Sequence, residues 1–367
     1  MINPYSRQFI DQEDIQAVLG VLDSDLLTQG EQTEYFEQEL ADFLGVKYVL
    51  VCNSATSALY CAYRALGLDQ SEVITSPMSF VATSNMLLEN GATPIFCDIK
   101  EDGNIDETKI SALITPKTKA IVSVDYAGKS VEVEAIQKIA KSHELFFISD
   151  SSHSFGGEYK NQKIGSLADV TIFSFHALKP ITTGEGGALV TNHAEVYEKA
   201  KLIRSHGVIK KSLWNSDVFE SGFNFRLTEI ASALGRSQLK KIHSFIAQRE
   251  AIAQFYDKTL ANHSCFDILP IPTHIKSSRH LYPIFLKPNL WCSKEELFRQ
   301  LIQKGLGVQV HYKPIHLFSL YQQFPQIKLF NAERFYKAQL SIPCHQKMSL
   351  QDARNTAQIL LETLKAF

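Results

Sequence analysis

The sequence has no excess of charge of either sign and no long apolar run. Its 37 basic and 39 acidic residues nearly cancel, whereas a protein dedicated to nucleic acid or to an anionic membrane surface carries a strong basic excess. No stretch approaches the roughly 20 consecutive apolar residues that cross a bilayer. We therefore expect the protein to bind neither nucleic acid nor membrane.

Closely paired cysteines are also missing. The six cysteines include no C-x-x-C pair, so no metal site is predicted. Several, such as Cys52, lie in apolar runs, where a reduced cysteine acts as a small core hydrophobe; this favours a reducing compartment. The first residues show no charged start followed by an apolar stretch, so no signal peptide is predicted. Together these features predict a cytoplasmic protein.

Short apolar runs alternate with amphipathic stretches between about residues 48 and 191. Most of the runs are nearly continuous in Val, Ile and Phe, which is typical of strands buried on both faces. The alternation predicts an α/β fold with a mostly parallel, doubly wound sheet that binds ligands at the carboxyl ends of its strands. The predicted strands are 48–52, 72–75, 94–98, 120–124, 145–149, 170–175 and 188–191.

The pattern changes after about residue 245. A long helical pattern leads into a proline-rich stretch, and strands and helices then follow without strict alternation. This predicts a large domain over residues 1–245 and a smaller α+β domain over residues 246–367. The elements predicted here are helices at 244–260, 294–304 and 350–365, and strands at 281–286 and 308–311.

Two charged residues follow predicted strands. Asp150 comes directly after strand 145–149, and Lys179 lies in the segment after strand 170–175. Pro180 disfavours the α conformation at Lys179, which places the lysine in a turn or extended segment beyond the strand end. Pyridoxal phosphate needs a lysine that bonds to it covalently and an aspartate beside its ring nitrogen. The alternative is a surface lysine followed by a glycine-rich turn.

A phosphate seat and a ring-stacking residue can also be proposed from the sequence. Ser54 is a candidate N-cap, and the N–H groups of Ala55 and Thr56 behind it would form an anion site, to which Ser174 could add a hydroxyl. Phe80 follows a strand end and could stack on a planar ring. The alternatives are an ordinary capped helix and an aromatic side chain packed in the core.

Several segments, taken in order, resemble the sugar aminotransferases of the DegT-like family. Residues 173–187 resemble the lysine signature of that family, and the likeness covers essentially the whole chain. It implies a type I pyridoxal-phosphate fold, with a mostly parallel seven-stranded central sheet, and a homodimer with active sites shared between subunits. The other matching segments are 3–7, 27–30, 77–85 and 224–230.

Two further segments, 121–134 and 310–315, are most similar to family members that aminate C4 of UDP-sugars in pseudaminic acid biosynthesis. This narrower resemblance implies transfer of the amino group of L-glutamate to a UDP-4-keto-6-deoxy-N-acetylhexosamine. The implied product is UDP-4-amino-4,6-dideoxy-N-acetyl-β-L-altrosamine. Another UDP- or dTDP-4-keto-6-deoxy sugar stays open as the acceptor.

The resemblance also implies roles for individual residues. Lys179 would bind the cofactor covalently and then carry the proton, and Asp150 would pair with the ring nitrogen. His153 would lie near the ring hydroxyl, and Phe80 would stack on the ring. The implied phosphate contacts are Ala55, Thr56 and Ser174, joined by Asn224 of the second subunit. The implied nucleotide-sugar contacts are Tyr5, Leu27, Thr28, His311, Tyr312 and Lys313.

Two other classes of protein are weighed against this one. A nicotinamide-dependent sugar enzyme needs a G-x-G-x-x-G motif after the first strand, but that strand runs into Asn53-Ser54-Ala55-Thr56. A non-catalytic protein of the same fold is expected to have lost the lysine, and Lys179 is present. The sequence therefore favours a transaminase over both.

Overall fold

The computed structural model describes residues 3–324 and 328–367. The strands of this part are β1 (Tyr48–Cys52), β2 (Glu72–Thr75), β3 (Thr93–Phe96), β4 (Thr118–Val124), β5 (Phe146–Asp150), β6 (Glu158–Tyr159), β7 (Gln162–Lys163), β8 (Val170–Ser174), β9 (Gly187–Thr191), β10 (Val208–Lys210), β11 (Ser216–Val218), β12 (Phe266–Ile268), β13 (Ile275–Lys276), β14 (Tyr282–Leu286) and β15 (Gln339–Ile342).

The helices predicted at 244–260, 294–304 and 350–365 are confirmed, each to within two residues at either end. The α-helices of the described residues are α1 (Gln12–Leu22), α2 (Glu31–Leu44), α3 (Ala55–Ala65), α4 (Ala82–Glu89), α5 (Glu107–Ile110), α6 (Val133–Ser142), α7 (Ala194–Arg204), α8 (Glu229–Lys240), α9 (Ile242–Leu260), α10 (Lys294–Gln303), α11 (Phe330–Ala338) and α12 (Leu350–Leu364). None of these helices combines the length and the apolar character that crossing a bilayer requires.

The central sheet of the described residues has seven strands in the order β1-β9-β8-β5-β4-β2-β3. Four of the six strand pairs are parallel, and only β9 runs against its neighbours β1 and β8. The predicted mostly parallel sheet is confirmed. Because β1, β2, β5 and β8 run in one direction, the segments that follow them meet at one edge of the sheet.

Both faces of the sheet are covered, which explains the continuous apolar runs. On one face, β1 and β8 pack with α3 and α7 around Leu59, Ile172 and Leu189. On the other face, α2, α8 and α9 pack around Phe36, Phe173 and related side chains. All five residues of β8 are buried. Helices on both faces are the arrangement that a βαβ sequence pattern predicts.

A second, smaller sheet lies towards the carboxyl terminus, in the order β12-β14-β15. It packs with the second half of α9, with α10 and with α12 in a core of its own. The first half of α9 packs against the central sheet instead. The helix therefore joins the two cores, and the division at residue 245 remains a prediction.

The strand predicted at 308–311 is wrong. Only one residue there, Gln309, bridges to Ser341 of β15. Two residues further on, the amide of His311 donates to the side chain of Gln339 in β15 at 2.7 Å and not to a backbone carbonyl of that strand. The side-chain acceptor takes the place of a ladder bond, so the pairing ends at Gln309, and His311 and Tyr312 line the cavity described below.

Candidate active site

A cavity of about 500 Å³ opens at the carboxyl edge of the central sheet. Its wall combines residues from the ends of β5 and β8, the start of α3, the loop after β2 and the segment before β15. Ten of the site residues proposed from the sequence line it together: Tyr5, Ala55, Thr56, Phe80, Asp150, His153, Ser174, Lys179, His311 and Tyr312.

Asp150 is the last residue of β5 and is 5% exposed. Its two carboxylate oxygens are held from opposite sides. Thr83 Oγ1 donates to one oxygen at 2.6 Å, and the Ser152 hydroxyl and amide donate to the other at 2.6 and 3.2 Å. A carboxylate that accepts from several donors is fixed in position. It is suited to act as the counter-charge of a cation in the cavity.

Lys179 lies in a turn beyond β8, as Pro180 predicts, and its amide donates to His176 O at 2.9 Å. Burial lowers the pKa of its amine from 10.5 to about 8. The positive charge of Arg249 acts in the same direction, and the carboxylate of Asp150 opposes both. A lysine with such a pKa is neutral in a substantial fraction of molecules near neutral pH, which is the form that attacks a carbonyl group and accepts a proton.

The low pKa of Lys179 predicts an effect on stability. The unfolded chain binds more protons than the folded chain between about pH 8 and 10.5, so wild-type stability rises with pH across that range. We expect the cofactor-free Lys179→Met variant to melt above the wild type below pH 8, because it buries no ammonium group. The difference should narrow towards pH 10.5. Thermal melts over a pH series test this, and a difference that stays constant with pH contradicts the assignment.

The start of α3 is a candidate anion seat in the cavity wall. Ser54 caps the helix by accepting the Ser57 amide at 3.1 Å, while the first amides of a helix, here those of Ala55 and Thr56, have no partner within it. Gly187 of β9 packs against this turn so closely that an added Cβ would collide with the Ala55 amide. The ordinary capped helix is confirmed, and its first amides lie beside Ser174, while the anion seat stays a prediction.

Three imidazoles and two phenols also line the cavity. His153 Nε2 lies 2.9 Å from the Tyr312 hydroxyl, and the rings of His153 and His280 are centred 4.5 Å apart. His311 Nε2 lies 3.4 Å from the Tyr5 hydroxyl. Burial, reinforced by the charge of Lys179, lowers the pKa of all three histidines, that of His311 to about 3. The imidazoles are therefore neutral hydrogen-bonding groups.

Phe80 is not a core residue, so the alternative of simple packing is wrong. Its side chain is 61% exposed at the cavity wall, and its ring meets that of Tyr312 edge-on with centroids 6.3 Å apart. An exposed aromatic side chain at a cavity mouth leaves a face free for a planar ring.

Four of the proposed site residues lie away from this cavity. Leu27 and Thr28 are exposed in the loop between α1 and α2, where Thr28 bridges to Thr228. Asn224 is exposed after β11, and Lys313 is exposed with its ammonium 5.0 Å from the Phe318 ring. Within one chain, these side chains do not line the cavity that holds Lys179.

The structure also adds residues that the sequence did not single out. Thr83 and Ser152 hold Asp150, and the second of them stands two residues after the aspartate, where a local hydroxyl-to-carboxylate contact could have been foreseen. His280 and Arg249 carry no such signal, because contacts between residues distant in the sequence place His280 in the cavity wall and bring Arg249 to the carbonyl of Leu178.

A lysine and an aspartate at the strand ends of a mostly parallel seven-stranded sheet, facing a helix N-terminus across one cavity, define the class as the type I pyridoxal-phosphate transferase fold. Within that class, the chain belongs to the DegT/DnrJ/EryC1/StrS aminotransferase family, whose family model matches residues 8–361. It is therefore a transaminase.

The comparisons with individual proteins cover nearly the whole chain. It is 52% identical over 367 residues to the UDP-4-amino-4,6-dideoxy-N-acetyl-beta-L-altrosamine transaminase of Helicobacter pylori, covering 99% of this chain and 98% of that one. It is 50% identical over 365 residues to the protein of the same name in Campylobacter jejuni, covering 98% and 97%.

Solved structures agree with the fold. Helicobacter pylori PseC, described as an aminotransferase involved in the biosynthesis of pseudoaminic acid, superimposes with a TM-score of 0.97 at 51% identity over 100% of both chains. The PLP-form of the putative sugar aminotransferase Spr1654 from Streptococcus pneumoniae superimposes with a TM-score of 0.94 at 28% identity, covering 99% of this chain and 98% of that one.

Proposed function

We propose that the protein uses pyridoxal phosphate to move the amino group of L-glutamate to C4 of a UDP-4-keto-6-deoxy-N-acetylhexosamine. The proposed product is UDP-4-amino-4,6-dideoxy-N-acetyl-β-L-altrosamine, and the proposed role is in pseudaminic acid biosynthesis. The observation that carries the reaction type is the placement of Lys179 and Asp150 in one cavity. The choice of sugar rests on 50 and 52% identity to transaminases of that name.

The residues of the cavity fit the proposed cofactor. A phosphate group matches the α3 N-terminus with Ser174, a pyridine nitrogen matches the Asp150 carboxylate, an aldehyde matches the Lys179 amine, and a flat ring matches the exposed face of Phe80. Gly187 keeps the anion seat open, since any side chain there would fill it. When bound, the cofactor supplies an electron sink for the charge that develops as a carbon–hydrogen bond breaks.

Residues of the chain carry out the proton transfers and hold the ring in place. The neutral amine of Lys179 takes the proton from the α-carbon of the donor and returns a proton at C4 of the acceptor. Asp150, fixed by Thr83 and Ser152, keeps a proton on the ring nitrogen by stabilising positive charge there. His153, hydrogen-bonded to Tyr312 at 2.9 Å, holds the ring hydroxyl in place as a neutral partner.

We propose that two copies of the chain share each active site, with Asn224 completing the phosphate seat of its partner. Asn224 is exposed beside a hairpin of β10 and β11 whose tip residues Leu213 and Trp214 stand almost fully in solvent, at 103 and 89% exposure. Large exposed apolar side chains on a projecting hairpin are typical of a protein–protein contact. Leu27, also exposed and apolar, would meet the nucleotide sugar from the partner in the same way.

A subunit-mixing experiment tests the shared site. Lys179→Ala and Asn224→Asp proteins are each expected to have little activity, and mixing them after partial unfolding should restore activity. A mixed dimer has one site that carries both changes and one site that carries neither. If Asn224 acted within its own chain, every site of the mixed dimer would carry a defect and no activity would return.

The acceptor is tested by a substrate panel. Purified holoenzyme is given L-glutamate with UDP- and dTDP-linked 4-keto-6-deoxy sugars, and the products are identified by mass spectrometry and NMR. We expect turnover of the UDP-4-keto-6-deoxy-N-acetylhexosamine. NMR of the product then shows whether the new amine at C4 is axial or equatorial. Turnover of a dTDP-sugar alone would contradict the proposed pathway while leaving the transaminase intact.

We propose a cytoplasmic location because the cysteines of the described residues are free thiols. Cys52, Cys61, Cys97 and Cys344 are buried and free in the described residues, as the sequence predicts, and Cys292 is exposed and free. Thiols that are left unpaired fit a reducing compartment.

A further inference from the structure

Arg249 of α9 is the largest side chain that is fully buried, at 0% exposure. Its guanidinium donates to neutral acceptors: Gln346 Oε1 at 2.9 Å, and the carbonyl oxygens of Cys344, Arg279 and His280 at 2.7, 3.2 and 3.2 Å. It is absent from the ion pairs of the described residues. A buried cation without a carboxylate is costly, so its retention points to a task other than stability.

The acceptors of Arg249 come from both sides of the active site. Its second terminal nitrogen donates to Leu178 O, the carbonyl next to Lys179, at 3.5 Å. The carbonyl of His280, which it also holds, belongs to the residue whose ring packs on His153. One side chain therefore ties the lysine turn of the large domain to two segments of the small domain.

Arg249 acts on Lys179 through its charge as well as through its hydrogen bond to the neighbouring carbonyl. Burial is the largest cause of the low pKa of Lys179. The charge of Arg249 lowers this pKa further, and the carboxylate of Asp150 raises it. A second buried arginine, Arg204, differs in that Glu37 neutralises it at 2.7 Å. The other titratable groups that face Lys179 in the cavity are Tyr5, His153, His176, Glu185, His280, His311 and Tyr312.

We propose that Arg249 is a positioning residue for Lys179, which fixes the backbone of the lysine turn and presents an unneutralised positive charge behind the amine. The consequence is an amine that loses its proton more readily than burial alone would cause. This inference rests on the proposed role of Lys179 as a neutral amine. It concerns the amine itself, however, and can be tested in the cofactor-free protein without any substrate.

The test measures how fast Lys179 of the apoenzyme reacts with trinitrobenzenesulfonate as a function of pH, with the Lys179 peptide quantified by mass spectrometry. The midpoint of the wild type is expected near 8. Arg249→Gln should raise it by roughly one pH unit, the usual effect of removing a nearby buried charge. Arg204→Gln, which removes a buried but neutralised guanidinium, should leave the midpoint unchanged even if it lowers stability.

A second variant keeps the proposal testable if Arg249→Gln does not fold. Gln346→Glu is nearly isosteric and places a carboxylate on the Arg249 guanidinium, whose other hydrogen bonds it leaves in place. It should raise the Lys179 midpoint in the same direction. A folded Gln346→Glu protein with a wild-type midpoint, or an Arg204→Gln protein that shifts as much as Arg249→Gln, would overturn the proposal.

Discussion

Replacing Lys179 by alanine is expected to lower the transamination rate by at least about 1,000-fold, the upper range for loss of a general acid–base group. The loss follows from the position of Lys179, the lysine of the cavity that Asp150 shares. The visible absorbance that arises when the holoenzyme binds its cofactor covalently should vanish with it. Steady-state kinetics and an absorbance spectrum of the purified variant measure both effects.

Lys294 provides the matched control for this change. Burial lowers its pKa to about 8 as well, a depressed value that it shares with Lys179. Lys294, however, lies at the start of α10, where it donates to Tyr336 O at 2.5 Å, outside the cavity. We expect Lys294→Ala to keep the wild-type rate and spectrum. Equal losses in the two variants would show that a depressed pKa, and not the site, accounts for the effect.

Replacing Asp150 by asparagine is expected to lower turnover by roughly 100- to 1,000-fold, as for other losses of a placed electrostatic partner. Asparagine is isosteric and can keep a hydrogen bond from Thr83 or Ser152, so the fold should survive. What is lost is the negative charge that stabilises a protonated ring nitrogen. Turnover measured beside a thermal melt separates the two effects.

The carboxylate at the end of the neighbouring strand is the control for Asp150. Asp125 follows β4, is 1% exposed, and accepts from Ser151 Oγ, Ser154 Oγ and the Val131 amide at 2.8, 2.6 and 3.1 Å. Asp125→Asn turns its NH₂ group towards either the Val131 amide or the two serine hydroxyls and should cost about 1–3 kcal/mol of stability. Its effect on turnover should be much smaller. A stability loss in Asp150→Asn as large as in Asp125→Asn, with turnover retained, would contradict the assigned roles.

The central sheet and the strand-end residues could be predicted from the sequence because they depend on local pattern. Continuous apolar runs place β4, β5 and β8 inside the sheet, and the parallel direction brings Asp150 and Lys179 to one edge. Pro180 fixes the turn at Lys179 through the backbone of its neighbour. Each inference needs only the residue and its near neighbours in the chain.

The remaining site residues depend on distant packing. Arg249 donates to Leu178, 71 residues away in the sequence, and to Cys344, 95 residues away. The ring of His280 likewise packs on that of His153, which is distant in the sequence. The composition of segment 308–311 predicts a strand, yet the amide of His311 bonds to the side chain of Gln339 and not to the backbone of β15. Such contacts cannot be recognised from the sequence pattern. Tyr312 is therefore assigned to the site from the sequence only through the family resemblance.

The proposed function requires that the amino group of L-glutamate is transferred to C4 of the sugar. The most direct measurement supplies glutamate with an isotopically labelled amino nitrogen, together with the UDP-4-keto-6-deoxy-N-acetylhexosamine and the holoenzyme, and follows the label by NMR. We expect a labelled nitrogen on C4 and one 2-oxoglutarate for each amino sugar. A sugar product without the label, or 2-oxoglutarate formed with no amino sugar, would contradict it.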